Sequence, residues 1–167
     1  MPIEPLLRLP PGSDVFLDAN IFIYGLSGVS AQCRTLLQQC SEEHVTGISS
    51  YHVVSEVTHR LMCIEAQSKA LAGQRPREAL SAHPERVRQL TDYWSEIERL
   101  LSLNILFLVV DEDTIRGANE ERQQYGLLNN DSLIVALMRN YGLSVLASRD
   151  VGFDRVSDLT LYSPTDV

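Results

Sequence analysis

Four carboxylates in this chain occupy places where an α/β fold puts chemistry. Asp18 closes the apolar run Val15-Phe16-Leu17, just before a helical pattern begins at Asn20. Glu56 lies at the edge of an apolar stripe formed by Val53, Val54, Val57, Leu61 and Ile64. Asp131 follows Asn129-Asn130 and opens the most apolar helical segment. Asp150 follows the run Leu143–Ala147 in Ala147-Ser148-Arg149-Asp150, with Asp154 a weaker candidate four residues on. Open α/β sheets bind ligands in the crevice beyond the carboxyl ends of their strands, so strand-end acids can converge there. Taken singly, each acid has an ordinary role. Asp18 and Asp131 can cap helices, with Asn20 an alternative cap, and Asp150 can shape a turn. Glu56 can pair with Arg60 four residues on, for only about 0.3–0.5 kcal/mol.

Grouping them makes sense as cation binding. Three or four crowded carboxylates repel one another and raise one another's pKa values. A divalent ion removes that penalty, and Mg²⁺ or Mn²⁺ prefers oxygen ligands. Such an ion can bind a phosphodiester oxygen, lower the pKa of a bound water and orient in-line attack. Zinc is a poor match: His52 and His59 share one helix, but no Cys or His pair completes a site. They are expected to be ordinary helix histidines. Lys69 is the sole lysine. That removes P-loop chemistry, which needs a Gly-rich loop ending in lysine, and Schiff-base chemistry. It also removes a phosphoacceptor receiver domain, which needs a late-strand lysine.

The elements around these acids predict the fold class. Short strands at Val15–Leu17, Val45–Ser49, Ile105–Val110 and Leu143–Ala147, with another at Leu159–Tyr162, alternate with helical patterns. The helices are expected over Ala31–Cys40, Tyr51–Ala66, Asp111 to Tyr125 and Asp131–Tyr141, the last stopped by Gly142. A shorter one from Asn20 is expected to be interrupted by Gly25 and Gly28. Ile105–Val110, nearly all apolar, is expected to be a strand covered on both faces. The sum is an α/β, three-layer α/β/α sandwich with a central, mostly parallel sheet. Met1 to Asp14, with four prolines, is expected to be an irregular arm and not a secretory signal.

With 167 residues the chain is expected to form a single domain over 1–167. It carries an expected helical insertion at about 67–91, where Gly73, Pro76 and Pro84 weaken the periodicity. That insertion is locally basic: Lys69, Arg75, Arg77, Arg86 and Arg88 stand against Glu78 and Glu85. The whole chain has a net charge of −8, which argues against a simple electrostatic nucleic-acid module. It leaves room for a phosphodiester-cutting enzyme that holds cations. No apolar run approaches the ~18 residues that span a bilayer. The three cysteines, Cys33, Cys40 and Cys63, are odd in number and lack C-x-x-C spacing, as expected of free thiols in a cytoplasmic protein.

Four segments in this order resemble the PIN-domain family, specifically the VapC-type toxin ribonucleases. They are Phe16-Leu17-Asp18-Ala19-Asn20, Ser55-Glu56-Val57, Asn130-Asp131-Ser132-Leu133-Ile134-Val135-Ala136, and Leu146 to Val156 around Ser148-Arg149-Asp150-Val151-Gly152-Phe153-Asp154. The resemblance implies an Mg²⁺- or Mn²⁺-dependent endoribonuclease, the toxin of a type II toxin–antitoxin pair. Asp18, Glu56, Asp131 and Asp150 would be its catalytic and metal-binding acids, and Ser148 a contact for water or phosphate. It further implies an RNA substrate, a cognate antitoxin that can insert an arginine into the acidic pocket, and a homodimer. One departure is visible: where the family commonly has a second acid in its last motif, this chain has Gly152. A one-ion site follows, or else a catalytically weak PIN-like module that binds nucleic acid or protein.

Overall fold

A computed structural model describes residues 3–167. Its centre is a six-stranded sheet of β1 (Ile3–Pro5), β2 (Asp14–Leu17), β3 (Thr46–Ser50), β4 (Ile105–Leu108), β5 (Val145–Ala147) and β6 (Thr160–Ser163). The spatial order is β1-β6-β5-β2-β3-β4, and every pairing is parallel. From β2 the chain moves outward through β3 to β4, then returns to lay β5 on the other side of β2. The order therefore reverses between β2 and β5, and a crevice opens at their carboxyl ends. Val15, Phe16 and Leu17 of β2 and Leu146 and Ala147 of β5 are fully buried, which anchors that crevice in the core.

Two groups of helices flank the sheet. The first comprises α1 (Ala19–Leu26), α2 (Ala31–Ser41), α3 (Tyr51–Ser68) and α6 (Asp92–Ser102), with the short α4 (Pro76–Ala82) and α5 (Pro84–Val87) beside α3. The second is the closely packed pair α7 (Glu112–Tyr125) and α8 (Asn129–Asn140). Local signals set the helix starts. Ser30 caps α2 by accepting from the Cys33 N–H at 3.0 Å, and Asp111 caps α7 by accepting from the Thr114 N–H at 2.8 Å.

Four expectations need correction. The proline-rich start is not wholly irregular: Ile3–Pro5 pairs with β6 in parallel, followed by a 3₁₀ turn at Leu6–Arg8 that buries Leu6. Met1 and Pro2 lie outside the described residues. Gly25 does not interrupt α1, which runs through it to Leu26. Its missing side chain lets α2 approach, because a Cβ there would stand 2.7 Å from Leu37 Cδ1. The third correction is β4, an edge strand and not a strand covered on both faces. Its short apolar run spent its hydrophobicity on an exposed rim, with Leu106 and the following Val109 both more than half exposed. The fourth is an omission: α6, whose periodic apolar residues include the buried Ile97 and Leu100, was not anticipated.

The expected insertion contains α4 and α5, which with the end of α3 form a small apolar cluster of Ala66, Leu80 and Leu90. Glu65 pins this region to α6. Its buried carboxylate accepts from the backbone N–H groups of Thr91 and Tyr93, each at 2.8 Å, and from Lys69 Nζ at 2.6 Å. Burial alone would raise its pKa, but these donors outweigh it and hold the carboxyl down at about 2. Glu65→Ala strands two backbone donors and is expected to cost on the order of 3 kcal/mol, seen as a lower urea midpoint. Because the folded pKa is depressed, the stabilisation is full above the ordinary carboxyl range near 4.5. It is lost as pH falls towards 2.

Candidate active site

Asp18 ends β2 and caps α1, so one residue serves as both helix cap and floor of the cleft. Its Oδ1 accepts from the Ala19 N–H at 2.6 Å. Its Oδ2 accepts from the Ser148 hydroxyl at 2.6 Å and from the Asn20 side-chain amide. Asn20 also donates to Ser148 Oγ at 3.1 Å and accepts from the Arg149 backbone N–H at 2.8 Å. Ser148 Oγ in turn accepts from the Asp150 N–H at 2.9 Å. Asn20 and Ser148 thus tie the end of β2 to the turn after β5, fixing Asp18 against Asp150's backbone. Neither role was evident from sequence. Asn20 looked like a helix cap, and Ser148 looked like a contact for water or phosphate. Ser148 is fully buried and positions Asp18 instead.

The other acids arrive from separate elements. Glu56 projects from the second turn of α3. Its Oε2 accepts from the Asn130 side chain at 2.7 Å, and no ion pair with Arg60 forms among the described residues. Asp131 sits in the first turn of α8, two residues after its start at Asn129. Asp150 precedes a 3₁₀ turn, Val151–Arg155, anchored by buried Phe153. Together Asp18, Glu56, Asp131 and Asp150 line one cleft of about 260 Å³, with Asn20, Tyr24, Arg60 and Arg149. Asp154 is not among its lining residues. His52 Nδ1 is hydrogen-bonded to the Ser50 hydroxyl at 2.7 Å, its Nε2 is buried without a partner among the described residues, and burial lowers its pKa against the opposing charge of Glu56.

Electrostatics mark the cluster as strained without a counter-ion. Burial pushes the Asp18 carboxyl up to about 6, aided by the charges of Glu56 and Asp131 and opposed by its hydrogen bonds. Burial, then Asp150 and Glu56, push Asp131 up to about 6 as well, with Arg155 opposing. Among the described residues no three His, Cys, Asp or Glu side chains form a closed metal-holding set. Mg²⁺ is a hard octahedral ion, which takes one or two carboxylates and completes its shell with water and phosphate. An all-oxygen donor set under mutual repulsion fits such an ion and does not fit zinc.

Gly152 gains a structural reason. Its N–H donates to Asp150 Oδ1 at 2.7 Å, and a Cβ at this position would stand 3.0 Å from the same oxygen. A side chain here would oblige the Asp150 carboxylate to shift by a few tenths of an ångström.

A model of the PIN domain matches residues 15–159. The chain belongs to the PIN domain family. Ribonuclease VapC2 of Methanocaldococcus jannaschii is 26% identical over 149 residues, covering 88% of this chain and 91% of that protein. Two solved structures resemble this one in architecture. VapBC2 from Rickettsia felis, bound to a DNA fragment from its promoter, has a TM-score of 0.58 at 19% identity, covering 89% of this chain and 97% of that one. VapC20 from Mycobacterium tuberculosis, a sarcin-ricin loop cleaving toxin, has a TM-score of 0.56 at 17% identity, covering 87% and 97%. The PIN resemblance and the α/β fold class expected from the sequence both hold. Ribonucleases of this PIN family generally depend on a divalent metal ion.

Ser148→Ala tests the positioning role. It strands the Asp150 N–H and removes a hydrogen bond that lowers the Asp18 pKa. The expected cost is about 1–2 kcal/mol of stability. In the metal-free protein the Asp18 carboxyl should also ionise at higher pH, because the Ser148 hydrogen bond that lowers its pKa is gone.

Proposed function

We propose that this PIN protein is a metal-dependent endoribonuclease that hydrolyses RNA phosphodiesters, and the toxin of a type II toxin–antitoxin pair. The observation that carries the reading is the convergence of Asp18, Glu56, Asp131 and Asp150 on one cleft at the switch point of the sheet. The kinship with a protein named as a ribonuclease supports it. So does a structural relative from Klebsiella pneumoniae described as a toxin–antitoxin complex, which motivates a cognate antitoxin, while the homodimer rests on the family resemblance alone.

These four acids would hold Mg²⁺ or Mn²⁺, which when bound lowers the pKa of water and neutralises charge building on the phosphate. Asp18, buried and triply hydrogen-bonded, serves as a fixed ligand. Glu56 is steered by Asn130, and Asp150 by the Gly152 N–H. Both are more open than Asp18, so one or the other would orient the attacking water or take its proton. Attack forms a phosphorus–oxygen bond, breaks the bond to the leaving ribose oxygen, and returns a proton from solvent to that oxygen. The chain forms a single PIN-like domain with a helical insertion and acts in the cytoplasm. Among the described residues no helix is long and apolar enough to cross a membrane.

The test is incubation of purified protein with single-stranded and hairpin RNA in Mn²⁺. Discrete fragments support the nuclease. RNA bound but uncut would favour the second reading, a binding module with a weakened site, for which Gly152 is the motivating residue.

A further inference from the structure

We propose that Arg60 and Arg149 are substrate-positioning residues that grip RNA backbone phosphates on the two flanks of Asp18. The inference rests on the ribonuclease reading above. Both residues line the acidic cleft, from elements on opposite sides of it, and Arg149 also lines a neighbouring groove beside Val167. Arg60 is on α3, which follows β3, whereas Arg149 follows β5. In the sheet β3 and β5 lie on either side of β2, whose end carries Asp18.

Each guanidinium is available for a ligand. Glu56 is the natural partner of Arg60 at four residues' spacing, but it pairs through Oε2 with the Asn130 side chain at 2.7 Å and forms no ion pair with Arg60 among the described residues. Among the described residues Arg60 makes no ion pair or side-chain hydrogen bond, although it sits in a cleft with four acids. Arg149 is held at its backbone by Asn20 Oδ1 and at Nε by the Val167 carbonyl at 3.1 Å. Its two terminal nitrogens have no partner among the described residues. A chain with a net charge of −8 repels a polyanion, so its cleft needs fixed positive charge as well as a cation. Guanidinium groups suit phosphate because they donate two parallel hydrogen bonds. The basic insertion contributes no residue to this cleft, and three of its five basic side chains are already engaged. Lys69 is paired with Glu65 and Asp92, Arg75 with Glu78, and Arg86 donates to the Leu71 carbonyl.

The experiment measures binding separately from cleavage. Fluorescence anisotropy of a labelled oligouridylate would be followed on the non-cutting Asp18→Asn protein, alone and with Arg60→Ala, Arg60→Lys or Arg149→Ala added. Arg116→Ala, which removes a charge paired with Glu112 on α7, controls for net charge. Each cleft Ala variant is expected to raise Kd about tenfold. It should also flatten the slope of log Kd against log salt by about 0.7, the value for one phosphate contact on a single strand. Arg60→Lys should keep the slope and lose part of the affinity. In the cutting protein the same substitutions should raise KM more than they lower kcat. Kd and slope matching the Arg116→Ala control would overturn the proposal while leaving the nuclease standing. If the parent fails to cut RNA but binding still depends on Arg60 and Arg149, the catalytic reading falls and the arginine contacts survive.

Discussion

Asp18→Asn is expected to lower the rate of RNA hydrolysis by about a thousandfold or more without weakening the fold. A metal ion supplies several kcal/mol of transition-state stabilisation, and each 1.4 kcal/mol is a factor of ten. Loss of the most buried ligand removes a large part of that. Stability should move the other way. In metal-free protein at pH 7, Asp18 is ionised although its carboxyl has been pushed from 3.8 to about 6. A shift of that size corresponds to roughly 3 kcal/mol of unfavourable charge burial. An amide relieves it but has a single acceptor oxygen, so it cannot accept from Ala19 as well as from Ser148 and Asn20, which offsets part of the gain. The melting temperature of the metal-free variant should therefore equal the parent's or exceed it by a few degrees. A variant that loses activity because it unfolds would remove the case for Asp18 as a catalytic ligand.

The second large effect is an inverted pH dependence of stability in the metal-free protein. Asp18 and Asp131 both titrate near 6 when folded and near 3.8 when unfolded. Between those values the folded state binds more protons, so stability falls as pH rises from about 4 to about 6 and then levels. Glu65, with its carboxyl held at about 2, works in the opposite direction below about pH 4.5. The metal-free protein should thus be most stable at about pH 4, where the two opposing slopes cross, not at neutrality. Mn²⁺ should reverse this at pH 7, adding about 2.7 kcal/mol at a hundred times its Kd. Its effect should fade below about pH 5, where protons compete for the same oxygens. Melting curves across pH, with chelator or with Mn²⁺, measure both. A metal-free optimum at pH 7 and no response to Mn²⁺ would remove the charge-repulsion account of the site.

The site was legible because its acids sit at strand ends and helix starts, positions marked by local sequence. Asp18 after Val15-Phe16-Leu17 and Asp150 after Leu143–Ala147 needed only hydrophobic runs and the rule of the sheet crevice. Their supports were not legible. Ser148 and Asn20 are separated from each other by most of the chain, and their contact arises only because β5 returns beside β2. Glu56 looked like a partner for Arg60 by helical spacing, yet Asn130 from α8 takes that carboxylate. The central strands were legible because both their faces are buried. The apolar run at β4 misled for a related reason: composition does not distinguish a covered strand from an exposed edge. Ile3–Pro5 was obscured by prolines, which tolerate an edge position in a sheet.

The account stands most directly on one comparison. Parent and Asp18→Asn proteins, purified in parallel, would be incubated with labelled single-stranded RNA at pH 7, each with Mn²⁺ and with chelator. Cleavage by the parent in Mn²⁺ alone is the predicted result. Equal cleavage by both preparations, or cleavage that persists in chelator, would contradict a metal-dependent site built on these four acids.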